Sequence, residues 1–183
     1  MVAERVRYTV AEFEAFIERP ENRDHLFELI DGEIVKKMVT EEHGLIVANL
    51  IFLLKHYLMQ HPIGRVGVEI SHRTPNDDYN ERLPNISFIL NSERPIVRQG
   101  AVPAMPELAL EVKSYSQTYK EMREKAAFYL ARGAHAVWLV FPEKRLVETY
   151  TPTTHNILLE NETLSGGNLL PNFSLSVAEI FQV

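Results

Sequence analysis

The chain has 183 residues, of which 45% are hydrophobic and 24% charged, and this composition excludes a disordered or low-complexity chain. The length predicts a single domain that spans residues 1–183. A net charge of −6 argues against binding nucleic acid through bulk positive charge, although it does not exclude an acidic nuclease that works through a bound cation. Because there is no cysteine, disulfides and thiolate metal sites are excluded and a cytoplasmic location is expected.

The N-terminal segment, residues 1–10, lacks the apolar run and the cleavage site of a secretory signal. The most apolar segment, residues 45–59, is interrupted by Asn49, Lys55 and His56, and it is shorter than the roughly 20 residues that a membrane span needs. We therefore expect a buried helix in this segment and no membrane partner.

The first half of the chain predicts a short helix, a hairpin, a long helix and two strands. Thr9 and Glu12 have the spacing of a helix capping box, and Asp31-Gly32 lies between two β-prone runs, as in a hairpin turn. Glu41 and Glu42 suit the positive end of a helix dipole. The expected elements are a helix from Thr9 to near Pro20, a hairpin within 25–39, a helix from about 41 to 60, and strands at 65–73 and 82–90.

The second half of the chain predicts a βαβ unit. A strand begins at Leu108, a helix follows from about Gln117 to Arg132, and an apolar run occupies residues 135–141. Gly133 has the expected position just after a helix. The two strands are therefore predicted to be parallel neighbours in one sheet. Further elements are expected as outer strands at 146–151 and 156–161 and as a terminal helical turn within 174–181.

Polar side chains interrupt two of these apolar strands. Because side chains alternate across a strand, Glu111 and Lys113 share one face, and Asn85 and Ser87 share another. If the strands are neighbours, an amide, a carboxylate and an ammonium meet at one point. Mg²⁺ is usually held by one or two carboxylates and completed by water and phosphate, and a nearby lysine can stabilise developing charge. Glu111 and Lys113 suit these two roles.

The same residues also allow interpretations in which none of them has a catalytic role. Glu111 and Lys113 can form an ordinary cross-strand ion pair on a half-solvated sheet. His43 can be a capping or surface histidine, and Glu28 a solvated hairpin acid. One helical turn separates Lys125 from Tyr129, which on their own suggest a surface lysine and a buried tyrosine.

The sequence as a whole resembles the Uma-type putative restriction endonuclease family, a branch of the PD-(D/E)XK nuclease superfamily. The resemblance covers nearly the whole chain in order. It is carried by the segments YTVAEFEAF, FELIDGEIV, EEHGLIVANLIFLL, RLPNISFIL, PELALEVKSYS, REKAAFYLARGAHAVWLVFPEKRLVETY and LLPNFSLSVAEIF. It implies an α/β fold of mixed α+β type, in which a central mixed sheet is flanked by helices.

The resemblance also implies roles for particular residues. Asn85 takes the place of the metal-binding aspartate, Glu111 is the second ligand of Mg²⁺ or Mn²⁺, and Val112 offers its carbonyl. Lys113 takes the place of the catalytic lysine. Further candidates for the cleft are His43, Glu28, Lys125 and Tyr129.

One departure from the family pattern affects the expected activity. The neutral amide of Asn85 lacks the charge that attracts a hard dication, so metal affinity should fall. The implied function is a metal-dependent endonuclease, expected to act on DNA as a homodimer. The alternative is an inactive nuclease-fold module for dimerisation or for binding nucleic acid or protein. The acids that can replace the missing charge are Glu69, Asp77, Asp78 and Glu81.

Overall fold

The computed structural model describes residues 6–183, so half of the segment considered above as a signal lies outside the described residues. A six-stranded mixed sheet is flanked by helices, which confirms the predicted fold class. The helices are α1 (Val10–Ile17), α2 (Glu41–Gln60), α3 (Tyr119–Ala131) and α4 (Val177–Ile180). The strands are β1 (Phe27–Ile30), β2 (Glu33–Lys36), β3 (Gly64–Val68), β4 (Ile86–Leu90), β5 (Leu108–Val112), β6 (Ala136–Phe141), β7 (Leu146–Tyr150), β8 (His155–Leu158), β9 (Thr163–Ser165) and β10 (Ser174–Ser176).

The central sheet has the strand order β3-β4-β5-β6-β7-β8. Strands β5 and β6 are parallel and are joined through α3, which confirms the predicted βαβ unit. The other neighbours in this sheet pair antiparallel. Two smaller antiparallel pairs complete the strands, β1 with β2 and β9 with β10, and the sequence reading did not predict the second pair.

The two faces of the central sheet pack against different helices. Helix α2 lies over one face, where the core includes Leu50, Leu54, Phe88 and Leu110. Helix α3 lies over the other face, and its Met122 belongs to a second core with residues of β5 and β6. β5 and β6 are therefore buried on both sides, which explains their nearly continuous apolar sequences.

Local signals in the sequence explain several element boundaries. Thr9 and Glu12 form the predicted capping box at α1, and Thr118 and Glu121 form another at α3. The turn between β1 and β2 places Asp31 and Gly32 at φ values of 49° and 84°. Positive φ at both central residues is typical of the type I′ hairpin turn, so the predicted hairpin is confirmed.

Two predicted strands are shorter than expected. The strand predicted at 65–73 ends at Val68, because Glu69 has a left-handed φ of 48°. The strand predicted at 82–90 begins only at Ile86, so Asn85 lies in a bend before it. Pro84 has no backbone N–H to donate to a neighbouring strand, which agrees with this late start. In residues 6–183 no helix has the length and apolar character to cross a membrane.

Candidate active site at the ends of strands β4 and β5

A buried cluster of charged and polar side chains surrounds Glu111, next to the end of β5. Lys125 Nζ lies 3.1 Å from Glu111 Oε1, and Tyr129 donates its hydroxyl proton to the same oxygen at 2.7 Å. Both donors come from one face of α3, one helical turn apart. Because both contact Oε1, the other carboxylate oxygen, Oε2, is left as the atom available to a cation.

Glu28 of β1 is the second acid of this cluster. Lys125 Nζ lies 2.8 Å from Glu28 Oε2, and the backbone N–H of Leu83 donates to Glu28 Oε1 at 3.1 Å. Glu28 is only 2% exposed, so the reading of this residue as a solvated hairpin acid is wrong. Lys125 is 7% exposed, so the reading of it as a surface lysine is also wrong. One ammonium thus lies between two buried carboxylates.

The charges of the cluster change the pKa values of its members. Burial raises the pKa of Glu28, but the positive charges of Lys125 and Lys37 outweigh this effect and hold it below its ordinary value. Burial alone would lower the pKa of Lys125, yet the carboxylates of Glu111 and Glu28 raise it above its ordinary value. Burial and the negative charge of Glu111 raise the pKa of Tyr129 well above its ordinary value. Lys125 therefore stays charged and Tyr129 stays protonated at neutral pH.

Asn85 is held by hydrogen bonds from both ends of its amide. Its Oδ1 accepts the backbone N–H of Val112 at 2.9 Å. The backbone pairing between β4 and β5 ends at Ile86 and Leu110, and this side-chain hydrogen bond extends the contact between the two strands. Its Nδ2 donates to Glu69 Oε1 at 3.0 Å. His43 Nε2 lies 3.3 Å from the same Oδ1. The amide of Asn85 therefore joins the two strands to α2.

His43 lies in the first turn of α2 and is 5% exposed. Burial lowers its pKa, and the hydrogen bond with Asn85 only partly offsets that effect, so the ring is neutral at pH 7. If Nε2 donates its proton to Asn85 Oδ1, then Nδ1 carries the free electron pair. Nδ1 is buried and has no hydrogen-bond partner among the residues that the structure describes.

Lys37 also belongs to the site, and sequence reasoning missed it. Its Nζ lies 2.5 Å from Glu69 Oε2 and 2.7 Å from the carbonyl oxygen of Leu83. Lys37 follows β2 and looks in the sequence like one of two ordinary hairpin lysines, with no spacing that connects it to a residue 32 positions later. Its position places a second ammonium beside the amide of Asn85.

These groups line a cavity of about 160 Å³. The cavity lies between the hairpin β1–β2, the start of α2, the ends of β4 and β5, and α3. The predicted candidates that line it are Glu28, His43, Asn85, Glu111, Val112 and Lys125. Tyr129, which is fully buried, lies behind Glu111.

Lys113 does not join this cluster. Its Nζ lies 2.9 Å from Glu143 Oε1 and donates to the carbonyl oxygen of Ser114 at 3.2 Å. It lines a neighbouring cavity that shares His43 with the first. The expectation that Asn85, Glu111 and Lys113 meet in one pocket is therefore wrong for Lys113. The alternative of a Glu111–Lys113 ion pair is also wrong, since each pairs with another residue.

Of the four acids considered as substitutes for the missing aspartate, Glu69 is the one that contacts Asn85. Asp77 instead accepts hydrogen bonds from Arg132 and Asn80, and Glu81 accepts one from Ser71. The backbone carbonyl of Asp78 accepts the N–H of Val10 at the start of α1. The carboxylates of Asp77 and Glu81 are therefore used elsewhere in the fold, and the exposed Asp78 lies in the segment that pairs with the start of α1.

The donor set suits a hard cation that is held weakly. Within residues 6–183, no three His, Asp or Glu side chains form a group that could hold a metal ion. Two of the acids that line the cavity, Glu28 and Glu111, share the charge of Lys125, and the third, Glu121, belongs to the capping box of α3. Mg²⁺ usually takes only one or two carboxylates and completes its shell with water and phosphate oxygens. The residues therefore fit such an ion when a phosphate supplies further ligands.

Comparison with known proteins identifies the family. The model of the Uma2 family, described as "Putative restriction endonuclease", matches residues 10–178. The chain therefore belongs to the Uma2 family, which confirms the resemblance seen in the sequence.

A solved structure has the same fold. It is described as a putative nuclease belonging to DUF820 from Anabaena variabilis ATCC 29413, and it aligns with a TM-score of 0.79 at 19% identity over 94% of this chain and 97% of that one. This similarity confirms the predicted nuclease-type fold. No curated protein matches the sequence.

Proposed function

We propose that this chain is a metal-dependent endonuclease that hydrolyses phosphodiester bonds of nucleic acid, with DNA the expected substrate, at the cavity beside Glu111. The observation that carries this proposal is the buried pair of carboxylates, Glu28 and Glu111, that share one ammonium at the wall of a cavity. Buried charges are costly to a fold and are concentrated at functional sites. Membership of the Uma2 family supports nucleic acid as the substrate class.

The proposed site would hold Mg²⁺ or Mn²⁺ through Glu111, with Glu28 and the carbonyl of Val112 as further oxygen ligands. Such an ion supplies Lewis-acid stabilisation of charge on the phosphate and lowers the pKa of a bound water. Asn85 is the weakest of the predicted ligands, because its Oδ1 already accepts the N–H of Val112 and contacts His43. Asn85 thus acts in this proposal as a positioning residue.

Lys125 takes the electrostatic role that the sequence assigned to Lys113. Its ammonium stays protonated and lies against Glu111, where it stabilises the negative charge that develops on a phosphate in the transition state. Tyr129 donates to Glu111 and fixes the orientation of that carboxylate. Lys113 lines the neighbouring cavity instead, where it pairs with Glu143.

His43 is the proposed acceptor for the proton of the attacking water, a role that requires its buried Nδ1 to become accessible when the substrate binds. Its pKa is lowered by burial, so the ring is neutral and able to accept a proton at pH 7. Its Nδ1 has no partner among the described residues, and its Nε2 is held by Asn85. The amide of Asn85 thus selects the tautomer that leaves Nδ1 unprotonated.

The test is plasmid cleavage by the purified protein with Mg²⁺ and with Mn²⁺, and with EDTA as the negative control. We expect Glu111→Ala to abolish metal-dependent cleavage, while Glu160→Ala, which removes an exposed acid paired with Arg145, leaves it unchanged. Cleavage that survives Glu111→Ala would show that the chemistry takes place at another site.

One observation favours a second function, an inactive nuclease-fold module that binds nucleic acid or protein. The neutral Asn85 is engaged by Val112 and Glu69, and the nearby ammonium of Lys37 further lowers the attraction for a cation. The variant Asn85→Asp separates the two functions. If it creates cation binding in calorimetry and cleavage that the natural protein lacks, the natural chain is a disabled nuclease; cleavage by the natural chain rejects this second function.

We also propose that residues 1–183 form a single domain and that the active form is a homodimer, since two sites are the simple way to cut both strands of a duplex. Sedimentation equilibrium of the purified chain tests the dimer directly. A monomer at every concentration that supports cleavage would reject it. We further propose a cytoplasmic location, which the cysteine-free composition suits.

A further inference from the structure

A second cavity adjoins the candidate active site and has no role in the mechanism above. It lies between the start of α2, the segment after β5 and the turn after β6, and its volume is about 470 Å³. Pockets for small ligands measure roughly 300–1,000 Å³, so this one is large enough for a nucleoside. Its wall includes His43, Lys113, Tyr115, Glu42 and Glu143. His43 lines both cavities, so the two cavities are neighbours.

Tyr115 gives this cavity an aromatic wall that the fold does not use. The side chain is 71% exposed, although it follows a strand that is buried on both sides. The nearby Tyr119 is different, since its ring stacks on Phe141 at 5.1 Å and its hydroxyl donates to Glu143. An exposed aromatic ring beside a cavity is the element on which unpaired bases stack in proteins that bind single strands.

The charges of the cavity favour a neutral group over a phosphate. Lys113 is the one cation among its lining residues, and its charge is matched by Glu143 at 2.9 Å. Glu42 adds a second carboxylate at the wall, so the cavity carries a net negative charge. A phosphate would be repelled here, whereas the exocyclic amine of a base can donate to a carboxylate.

Glu143 is positioned for such a contact. Tyr119 Oη and Lys113 Nζ both lie 2.9 Å from its Oε1, which fixes the carboxylate while 43% of the side chain stays exposed. The chain itself limits the distance to the active site: Tyr115 lies four positions after Glu111, so their Cα atoms lie at most about 14 Å apart. A base at Tyr115 and a phosphate at Glu111 can therefore belong to the same or to a neighbouring nucleotide.

We propose that this cavity binds an unpaired nucleobase stacked on Tyr115, so that a duplex cut by the proposed dimer must open locally at each site. This inference rests on the proposed function for the position of the phosphate, but the stacking contact itself requires no cleavage. A paired base inside a duplex cannot enter a recess of this kind without leaving its stack. The free energy of unpairing therefore disfavours fully paired duplex at this site.

Fluorescence anisotropy with a labelled single-stranded oligonucleotide, a matching duplex and EDTA in the buffer tests the proposal. We expect the single strand to bind more tightly than the duplex. Tyr115→Ala should weaken single-strand binding by roughly 5- to 150-fold, the range expected for the loss of one base–aromatic stack. Tyr115→Phe should retain most of the affinity, because it keeps the ring.

The matched control is Phe52→Ala, which removes a ring of similar exposure, 65%, from the outer face of α2. It should leave binding unchanged, and thermal melting should show that both alanine variants are folded. The proposal is overturned if Tyr115→Ala binds like the natural protein, if duplex binds as tightly as single strand, or if no oligonucleotide binds. Binding that depends on Tyr115 without any metal-dependent cleavage would reject the nuclease activity and leave the base site standing.

Discussion

The two faces of the central sheet differ in what they bury. On the face covered by α2, the inward side chains of β4 and β5 are all apolar, among them Ile86, Phe88 and Leu110. On the face covered by α3, the same strands bury Ser87 and Glu111. The strand pairing places these two polar residues, and Glu148 of β7, on the same face of the sheet as the apolar residues of the α3-side core.

Each polar residue on the α3 side has a partner brought by another element. His72 contacts Ser87, Lys125 contacts Glu111, and Arg123 contacts Glu148. A buried charge is tolerated only when it is paired and hydrogen-bonded, so the sequence of α3 must match the sequence of the strands. The comparison teaches that the α2 face is stabilised by apolar packing, while the buried polar and charged groups of the α3 face depend on specific partners from other elements.

The largest expected effect is on the α3 face. Lys125→Met keeps most of the side-chain volume but leaves Glu28 and Glu111 buried together without the one ammonium that contacts both. We expect the free energy of unfolding to fall by about 3–5 kcal/mol at pH 7, measured by urea denaturation. Because Lys125 holds the pKa of Glu28 below its ordinary value of 4.5 and the variant loses this effect, protonation of Glu28 relieves the variant at a higher pH than the natural protein, so the loss should shrink as pH falls.

The control for this variant is Lys120→Met on the same helix, where the lysine is 85% exposed and lies 3.6 Å from Glu124. It should change stability little, as is usual for exposed ion pairs. Equal effects of the two substitutions would mean that the buried cluster does not depend on its ammonium.

The second prediction addresses the α2 face. Leu110→Ala removes a fully buried side chain and leaves a cavity, so we expect a loss of roughly 2–5 kcal/mol in the free energy of unfolding. The loss should be the same at pH 5 and pH 8, because no titratable group is involved. If the loss of stability in Leu110→Ala depended clearly on pH, the α2 face would not be the purely apolar face described above.

The third prediction concerns His72, which is fully buried and bonded to Ser87 Oγ at 2.9 Å and to the carbonyl of Ala104 at 2.7 Å. Burial lowers its pKa below the ordinary 6.5. Because the unfolded chain then takes up the proton first, the stability that His72 contributes is full above pH 6.5 and is lost as pH falls toward the lowered value.

His72→Phe removes both hydrogen bonds and the titration. We expect a loss of about 1–3 kcal/mol at pH 8, which narrows as pH falls below 6.5 because the natural protein itself becomes less stable. Thermal melting of both proteins between pH 5 and pH 8 measures the difference. His43 titrates in both proteins, so its contribution cancels. A difference that is constant with pH would argue that His72 does not stay neutral in the fold.

Sequence reasoning predicted the elements whose signals are local. The capping box at Thr9, the turn at Asp31-Gly32 and the βαβ unit closed by Gly133 all depend on residues close in the chain. It failed for Lys113, because the alternation of side chains holds only within a strand and β5 ends at Val112. Beyond that point the backbone turns and the ammonium lies against Glu143.

The site itself depends on contacts between distant segments. The family resemblance named Glu28 and Lys125 as candidates. Glu28 and Glu111 are 83 positions apart, however, and nothing in the spacing indicates that the ammonium of Lys125 contacts both. The contact of Lys37 with Glu69 also depends on the left-handed φ of Glu69, which the sequence of a strand does not predict. Such features require the three-dimensional arrangement.

A smaller effect is expected at the edge of the α3 face, where Arg123 pairs with Glu148. Glu148 is only 3% exposed at its side chain, but the side chain of Arg123 is 50% exposed, and Tyr150 and His155 also contact the acid. Arg123→Ala should therefore cost at most about 1 kcal/mol in urea denaturation, with a smaller loss at 1 M salt because screening weakens an exposed pair.

A matched comparison is Arg145→Ala, which breaks the pair with Glu160, where both side chains are 45% exposed. Because this acid is already solvated, the loss should be smaller still. The expected loss of stability therefore decreases in the order Lys125, Arg123, Arg145. Two properties of the carboxylate left behind set this order: how deeply it is buried and how many other hydrogen-bond donors it keeps. If Arg123→Ala proves as costly as Lys125→Met, burial of the remaining acid alone determines the cost, and the exposure of the removed cation has no part in it.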